Sequence, residues 1–328
     1  VNLEGWLPAW VAWRGGEPRI QWTLMRGQRL TEPFYRQTLE AQMMQPFHAV
    51  FRRETSMEEL EAWTAEHPGV PLKGLIFHMS RCGSTLMSRM LAAVERNVVV
   101  SEPDVIDAMV RADSRATGLA RETQVRWLRA MAAALGQQRV GGEDGFYLKL
   151  DAWHVRDMEL FAQAFSGVPW VFLYRSPLEV LVSNVRNPGV GTLGMQGFEM
   201  QLRAESGDWA GENAEYYWAR ILAAICEGGL SATERFGGKL VNYSELPGAM
   251  VGRLREFFGC REEDVATMMR VAGMHAKWPG QVFTADAERK RDEATELERE
   301  LCREWLEPLY ARLEMVRRAQ QGGDVVGR

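Results

Sequence analysis

Short apolar runs punctuate the middle of the chain: Leu75-Ile76-Phe77, Val98-Val99-Val100, Phe146-Tyr147-Leu148, Trp170-Val171-Phe172-Leu173-Tyr174 and Lys239-Leu240-Val241. They are continuous rather than alternating, the pattern of strands covered on both faces. Between them, apolar residues recur with helical spacing over Thr85–Glu95, Glu122–Leu135, Asp157–Phe165 and Leu178–Val185. Strands alternating with helices predict an α/β domain, a doubly wound parallel sheet of about five strands flanked by helices. Ligands of such sheets sit at the carboxyl ends of the strands.

The two ends of the chain read differently. Residues 1–70 are rich in Trp (Trp6, Trp10, Trp13, Trp22) and in turns such as Arg14-Gly15-Gly16-Glu17-Pro18. Ser56 with Glu59 three residues on is a capping-box pattern for a helix over Ser56–Glu66. His67-Pro68-Gly69-Val70-Pro71 then marks a boundary. The expectation is an N-terminal extension over 1–70, a nucleotide-loop domain over 71–318 and a flexible tail over 319–328. Asp286–Met315 reads as one charge-rich helix with Leu297, Leu301, Leu309 and Leu313 near one face and a kink at Pro308.

Charge removes several functional classes. With 39 basic and 44 acidic residues the net charge is −5, which gives no global case for nucleic-acid binding. The longest apolar run, near Val168–Tyr174, falls far short of the ~20 residues a membrane-spanning helix needs. Glu4 and Pro8 interrupt the start, so no secretory signal is read there. The four cysteines (Cys82, Cys226, Cys260, Cys302) are scattered, as are the histidines, with no HExxH cluster. No metal is expected, and reduced thiols in a cytoplasm fit best.

Two segments carry chemistry. The first strand runs into His78-Met79-Ser80-Arg81-Cys82-Gly83-Ser84-Thr85-Leu86 and then a helix. A glycine turn and a helix start aim backbone N–H groups and the helix dipole at one place, where an anion is stabilised. A nucleotide triphosphatase loop reads GxxxxGK[ST]; here no Gly stands five positions before Gly83, no Lys follows it, and the nearest cation is Arg81. Taken alone, this is also the sequence of a capped turn without a ligand. Further on, the strand Trp170–Tyr174 ends in Arg175-Ser176-Pro177-Leu178-Glu179-Val180-Leu181-Val182-Ser183-Asn184. Pro177 presets the helix start, and Arg175 offers a forked cation to a phosphate or, equally, to a nearby carboxylate.

Together these segments resemble the sulfotransferases that use 3′-phosphoadenosine 5′-phosphosulfate. Arg81, Gly83, Ser84 and Thr85 match the 5′-phosphosulfate loop P-[KR]-S-G-[ST]-T, with Ser80 and Cys82 departing from it. Arg175 and Ser183 match the 3′-phosphate signature R-[DN]-P-x-[DE]-x-x-x-S, with Ser176 departing. Lys149-Leu150-Asp151-Ala152-Trp153-His154 resembles a K-x-P-x-H stretch of bacterial sulfotransferase-like proteins. Val241-Asn242-Tyr243-Ser244-Glu245-Leu246, with Phe257-Phe258-Gly259, resembles a further family region, and Lys277-Trp278-Pro279-Gly280 a late loop over the 3′-phosphate. The resemblance spans about residues 72–315.

It implies a P-loop-like sulfotransferase fold and 3′-phosphoadenosine 5′-phosphosulfate (PAPS) as co-substrate. Arg81, Cys82, Gly83, Ser84, Thr85, Arg175, Ser183 and Tyr243 would bind it, with Tyr243 near the adenine. Arg81 would neutralise the sulfuryl group, Lys149 could assist or simply form a salt bridge, and Glu102, His154, or else another residue or water would be the general base. The acceptor would be a small molecule or metabolite. Its specificity would come from the loop Asn187–Gly194 and from Trp209, Tyr216, Tyr217 and Trp218, unless those aromatics are core. A P-loop small-molecule kinase and a non-catalytic nucleotide-binding protein remain the alternatives.

Overall fold

A computed structural model describes residues 1–25, 27–115, 118–187, 199, 202–203, 205, 207, 213–273 and 287–326. A small antiparallel sheet opens the chain: β1 (Trp6–Arg14), β2 (Glu17–Leu24) and β3 (Arg53–Ser56), in the order β1-β2-β3. Pro8 lies on the edge strand β1, where a missing N–H is tolerated, and the register shifts between Pro8 and Trp10. Ser56 closes the capping box with Glu59 at the head of helix Met57–Glu66.

The main sheet holds β4 (Leu72–His78), β5 (Asn97–Ser101), β6 (Gly145–Lys149), β7 (Trp170–Tyr174) and β8 (Lys239–Asn242). Their order is β5-β6-β4-β7-β8, and the neighbours pair in parallel. The five-stranded parallel sheet expected from the apolar runs is therefore present. Every residue of β5, β6 and β7 is buried, which explains why these strands do not alternate. The chain steps outward from β4 to β5, returns through β6 and crosses to β7, so the direction reverses beside β4. That reversal opens a crevice at the strands' carboxyl ends.

The N-terminal sheet is fastened to this domain. Gln137 donates to the Trp6 carbonyl and accepts from the Gly5 N–H, at 3.0 and 3.2 Å. No helix among the described residues is long and apolar enough to cross a membrane.

The C-terminal third departs from expectation. In place of one helix, the described residues form Ala287–Asp292 and Glu296–Leu301, a π-helical turn over Cys302–Leu306, and Glu307–Val326. Thr295 and Glu298 make a second capping box that starts a new helix. Pro308 has no N–H to give the preceding turn, and the π turn lies directly before it. Helix continues well into the stretch expected to be a loose tail. Gln320 accepts from the Leu240 N–H and donates to the Gly238 carbonyl, both at 2.9 Å, holding the helix on β8.

Glu314 on this helix accepts from Tyr174 at 2.6 Å, from Asn242 at 2.8 Å and from Arg317 at 2.7 Å. Burial raises its carboxyl pKa, but these donors outweigh burial and bring it down to about 2. A carboxylate depressed on folding stabilises the fold above its unfolded pKa and loses that contribution as pH falls. Stability should therefore drop by on the order of 1–2 kcal/mol, after allowance for solvent screening of a partly buried group, between about pH 4.5 and pH 2 on this group's account. Urea unfolding across that range should show a shallower acid loss for Glu314→Gln, and identical acid limbs would contradict the assignment.

Candidate functional site

The loop after β4 is built on strained backbone. Among the described residues, three non-glycine positions adopt left-handed φ: Ser80 (73°), Arg81 (47°) and Glu102 (52°). All three follow β4 or β5 at the carboxyl edge. Such conformations cost of order 1–3 kcal/mol each and persist where surrounding contacts impose them. Ser80 donates its N–H to His78 Nδ1 at 3.0 Å and its hydroxyl to Asn184 Oδ1 at 3.3 Å. Arg81 donates to the Asn187 carbonyl. The helix after β7, Pro177–Arg186, is thus tied to the loop after β4.

Gly83 (φ 88°) is the N-cap of helix Ser84–Ala92. A Cβ there would lie 2.5 Å from Tyr243 Cδ2, so the tyrosine ring rests on the glycine backbone. The Arg175 guanidinium carbon stands 4.5 Å from the centroid of the same ring. Gly83, Tyr243 and Arg175 therefore form one stack across the loops that follow β4, β7 and β8, and Tyr243 sits at the glycine turn after β4 itself. Arg175 donates to Glu179 at 2.6 Å, both side chains being buried. Ser84, Thr85 and Ser183 are buried beside these turns.

Cys82 corrects one expectation. Its Sγ donates to the Leu173 carbonyl of β7 at 3.0 Å, and the side chain is buried against the sheet. Burial pushes the thiol up to about 12. It offers a ligand its backbone, not its sulfur.

On the other side of β4, Lys149 ends β6 with no exposure and forms an ion pair with Glu102. His78 Nε2 lies 3.2 Å from the same Glu102 oxygen. Because His78 Nδ1 accepts from Ser80, its ring proton belongs on Nε2, which lies near the carboxylate without making a hydrogen bond to it. Burial, with Lys149 nearby, lowers the His78 pKa and keeps the ring neutral. For Glu102, burial alone would raise the pKa, but Lys149 and His78 hold it well below the usual carboxylate range. Glu102 also acts electrostatically on Arg81, whose pKa burial lowers. Arg81, Glu102, His78 and Lys149 thus belong to one polar group.

His154 is placed elsewhere, which corrects the second candidate base. It is fully buried; Nδ1 accepts from the Asp151 N–H at 3.3 Å and Nε2 faces Asp107 at 2.8 Å. With both ring nitrogens committed inside the protein, it cannot reach an acceptor hydroxyl. The ligating atoms of Asp107, Asp151 and His154 lie within 4.8 Å of one another. The His154–Asp107 bond closes that group on itself.

Three solved structures similar to this chain are sulfotransferases. STF9 from Mycobacterium avium is 15% identical, covering 77% of this chain and 80% of its own, with a TM-score of 0.47. The sulfotransferase from Alicyclobacillus acidocaldarius is 15% identical over 76% of this chain and 96% of its own, with a TM-score of 0.45. STF1 from Mycobacterium tuberculosis H37Rv is 13% identical over 67% and 79%, with a TM-score of 0.37. No protein-family model matches the chain, and no curated protein sequence matches it.

Sequence reasoning missed His78 and Asn184, although both stood inside the quoted segments. A histidine closing the first strand was the available signal for His78. Tyr217 donates to Glu199 at 3.3 Å, Tyr216 packs edge-on against Trp305 at 5.9 Å, and Trp218 is buried. Trp218 belongs to the core, and Tyr216 and Tyr217 pack against it while staying partly exposed. Trp209, the loop 188–194 and Lys277–Gly280 lie outside the described residues.

Proposed function

We propose that this chain transfers a sulfuryl group from 3′-phosphoadenosine 5′-phosphosulfate to a hydroxyl or amine of a small-molecule acceptor. The reading is supported by the stack of Gly83, Tyr243 and Arg175, which joins the two segments that resemble the donor-binding motifs, carried on the neighbouring strands β4 and β7. The helix N-terminus at Gly83 and the Arg81 guanidinium stabilise the 5′-phosphosulfate. Arg175, held by Glu179, grips the 3′-phosphate. Glu102 takes the proton of the acceptor hydroxyl as its oxygen forms a bond to sulfur. The bond from sulfur to the 5′-phosphate oxygen breaks, releasing 3′-phosphoadenosine 5′-phosphate. This is in-line group transfer, in which positioning and charge stabilisation dominate.

Calorimetric titration with 3′-phosphoadenosine 5′-phosphate, beside ATP with Mg²⁺, tests the donor. Binding of the former alone is expected, and binding of ATP·Mg²⁺ alone would overturn the reading in favour of a kinase. Arg175→Ala should weaken the 3′-phosphorylated nucleotide by about 1.5–3 kcal/mol, the range for a hydrogen bond to a charged group. Affinity for adenosine 5′-phosphosulfate, which lacks that phosphate, should barely change. Comparing the two ligands cancels any general loosening caused by exposing Glu179, and equal losses for both would remove Arg175 from the 3′-phosphate.

A further inference from the structure

The first seventy residues lie outside the region of resemblance, yet one of their side chains reaches the catalytic end of the main sheet. The Phe34 ring centroid is 5.1 Å from Lys149 Nζ, and Lys149 is the ion-pair partner of Glu102. A cation over an aromatic face is attracted to it, more strongly once water is excluded. Neighbouring residues hold the segment that carries the ring. Tyr35 is buried and donates to the Pro8 carbonyl at 3.0 Å. Arg36 pairs with Asp104, two residues beyond Glu102, at 3.6 Å. Arg29 donates to the Ala92 and Val94 carbonyls at 2.7 and 3.1 Å, tying this segment to the end of the helix that begins at the phosphate loop.

Strand order separates two halves of the crevice. Gly83, Arg175 and Tyr243 follow β4, β7 and β8, whereas Glu102 and Lys149 belong to β5 and β6 on the opposite side of β4. A donor held by the first set leaves the second for the acceptor. Lys149 has a side-chain exposure of 1%, whereas Glu102 keeps 22%. An acceptor hydroxyl must therefore meet the open edge of Glu102, next to the partly exposed Phe34.

We propose that Phe34 is a specificity-determining residue of the acceptor site: its ring closes the Lys149 side of Glu102 and forms an apolar wall for a hydroxyl compound carried on an apolar framework. The N-terminal sheet is then the support of half the active site. This proposal rests on the sulfuryl-transfer reading.

The test uses the full chain with 2-naphthol as an apolar hydroxyl probe and glucosamine as a polar one. Binding of each probe is followed by saturation-transfer NMR, and 3′-phosphoadenosine 5′-phosphate binding by calorimetry. Wild type should bind 2-naphthol in preference to glucosamine. Phe34→Ala should weaken 2-naphthol about five- to tenfold and raise its KM to match, the scale of one aromatic contact. Nucleotide affinity should stay unchanged, and Phe34→Trp should restore 2-naphthol. Undiminished 2-naphthol binding in Phe34→Ala would overturn the proposal, as would a parallel loss of nucleotide affinity or a wild type that binds the nucleotide but not 2-naphthol. A wild type that binds 2-naphthol through Phe34 yet ignores the nucleotide would overturn the donor reading and keep Phe34 as a binding residue.

Discussion

Glu102→Gln is expected to slow sulfuryl transfer by about 100-fold, the low end of the weight of a general base because Lys149 and His78 weaken its basicity, while 3′-phosphoadenosine 5′-phosphate still binds. Glutamine keeps the shape and can still accept from Lys149, but it cannot take a proton. Lys149 and His78 hold the wild-type carboxyl well below its usual range, so it is ionised throughout the working pH range. Any acid loss of activity near pH 4.5 should then have another source. The substitution also leaves the fully buried Lys149 facing a neutral amide, and breaking a buried pair costs several kcal/mol. Thermal unfolding of the variant must accompany the kinetics. A folded Glu102→Gln protein with unimpaired turnover would place the base elsewhere, and His154 is not available to take the role.

Gly83→Ala should be the most damaging single-methyl change at the site. Alanine at φ 88° is strained, and its Cβ would press to 2.5 Å from the Tyr243 ring. A left-handed L-residue costs roughly 1–2 kcal/mol and overpacking about 1–3 more. Moving the ring to relieve the contact would break its stack with Arg175, so nucleotide affinity should fall together with stability. Gly167→Ala supplies the control, because Gly167 has a similar φ of 80° with nothing within 4 Å. The difference between the two denaturation midpoints isolates the ring contact. Equal midpoints and intact nucleotide binding would mean that the stack contributes nothing.

The main sheet was legible because burial on both faces writes itself as continuous apolar runs, and both loops followed from residues at the strand ends. The N-terminal strands were not: the irregularity between Pro8 and Trp10 breaks the period-two alternation that would have announced β1. Thr295 and Glu298 carry the same capping pattern that was read at Ser56 and Glu59, but a strong run of charged helix formers masked the break. His154 looked like a base because sequence does not reveal burial. Its spacing from Asp151, a residue three positions earlier at the strand end, marks a cap. Nothing local marks Phe34, whose partner Lys149 lies more than a hundred residues away.

The cysteine in the loop after β4 also bears on how the protein meets oxidants. A thiolate, not a thiol, reacts with peroxide, disulfides and alkylating agents. Burial pushes the Cys82 thiol up to about 12 and it donates to the Leu173 carbonyl at the end of the sheet, and the other three cysteines are buried as well. The loop can thus carry a sulfur without becoming a redox sensor, and a thiol reagent should leave Cys82 of the folded protein unlabelled.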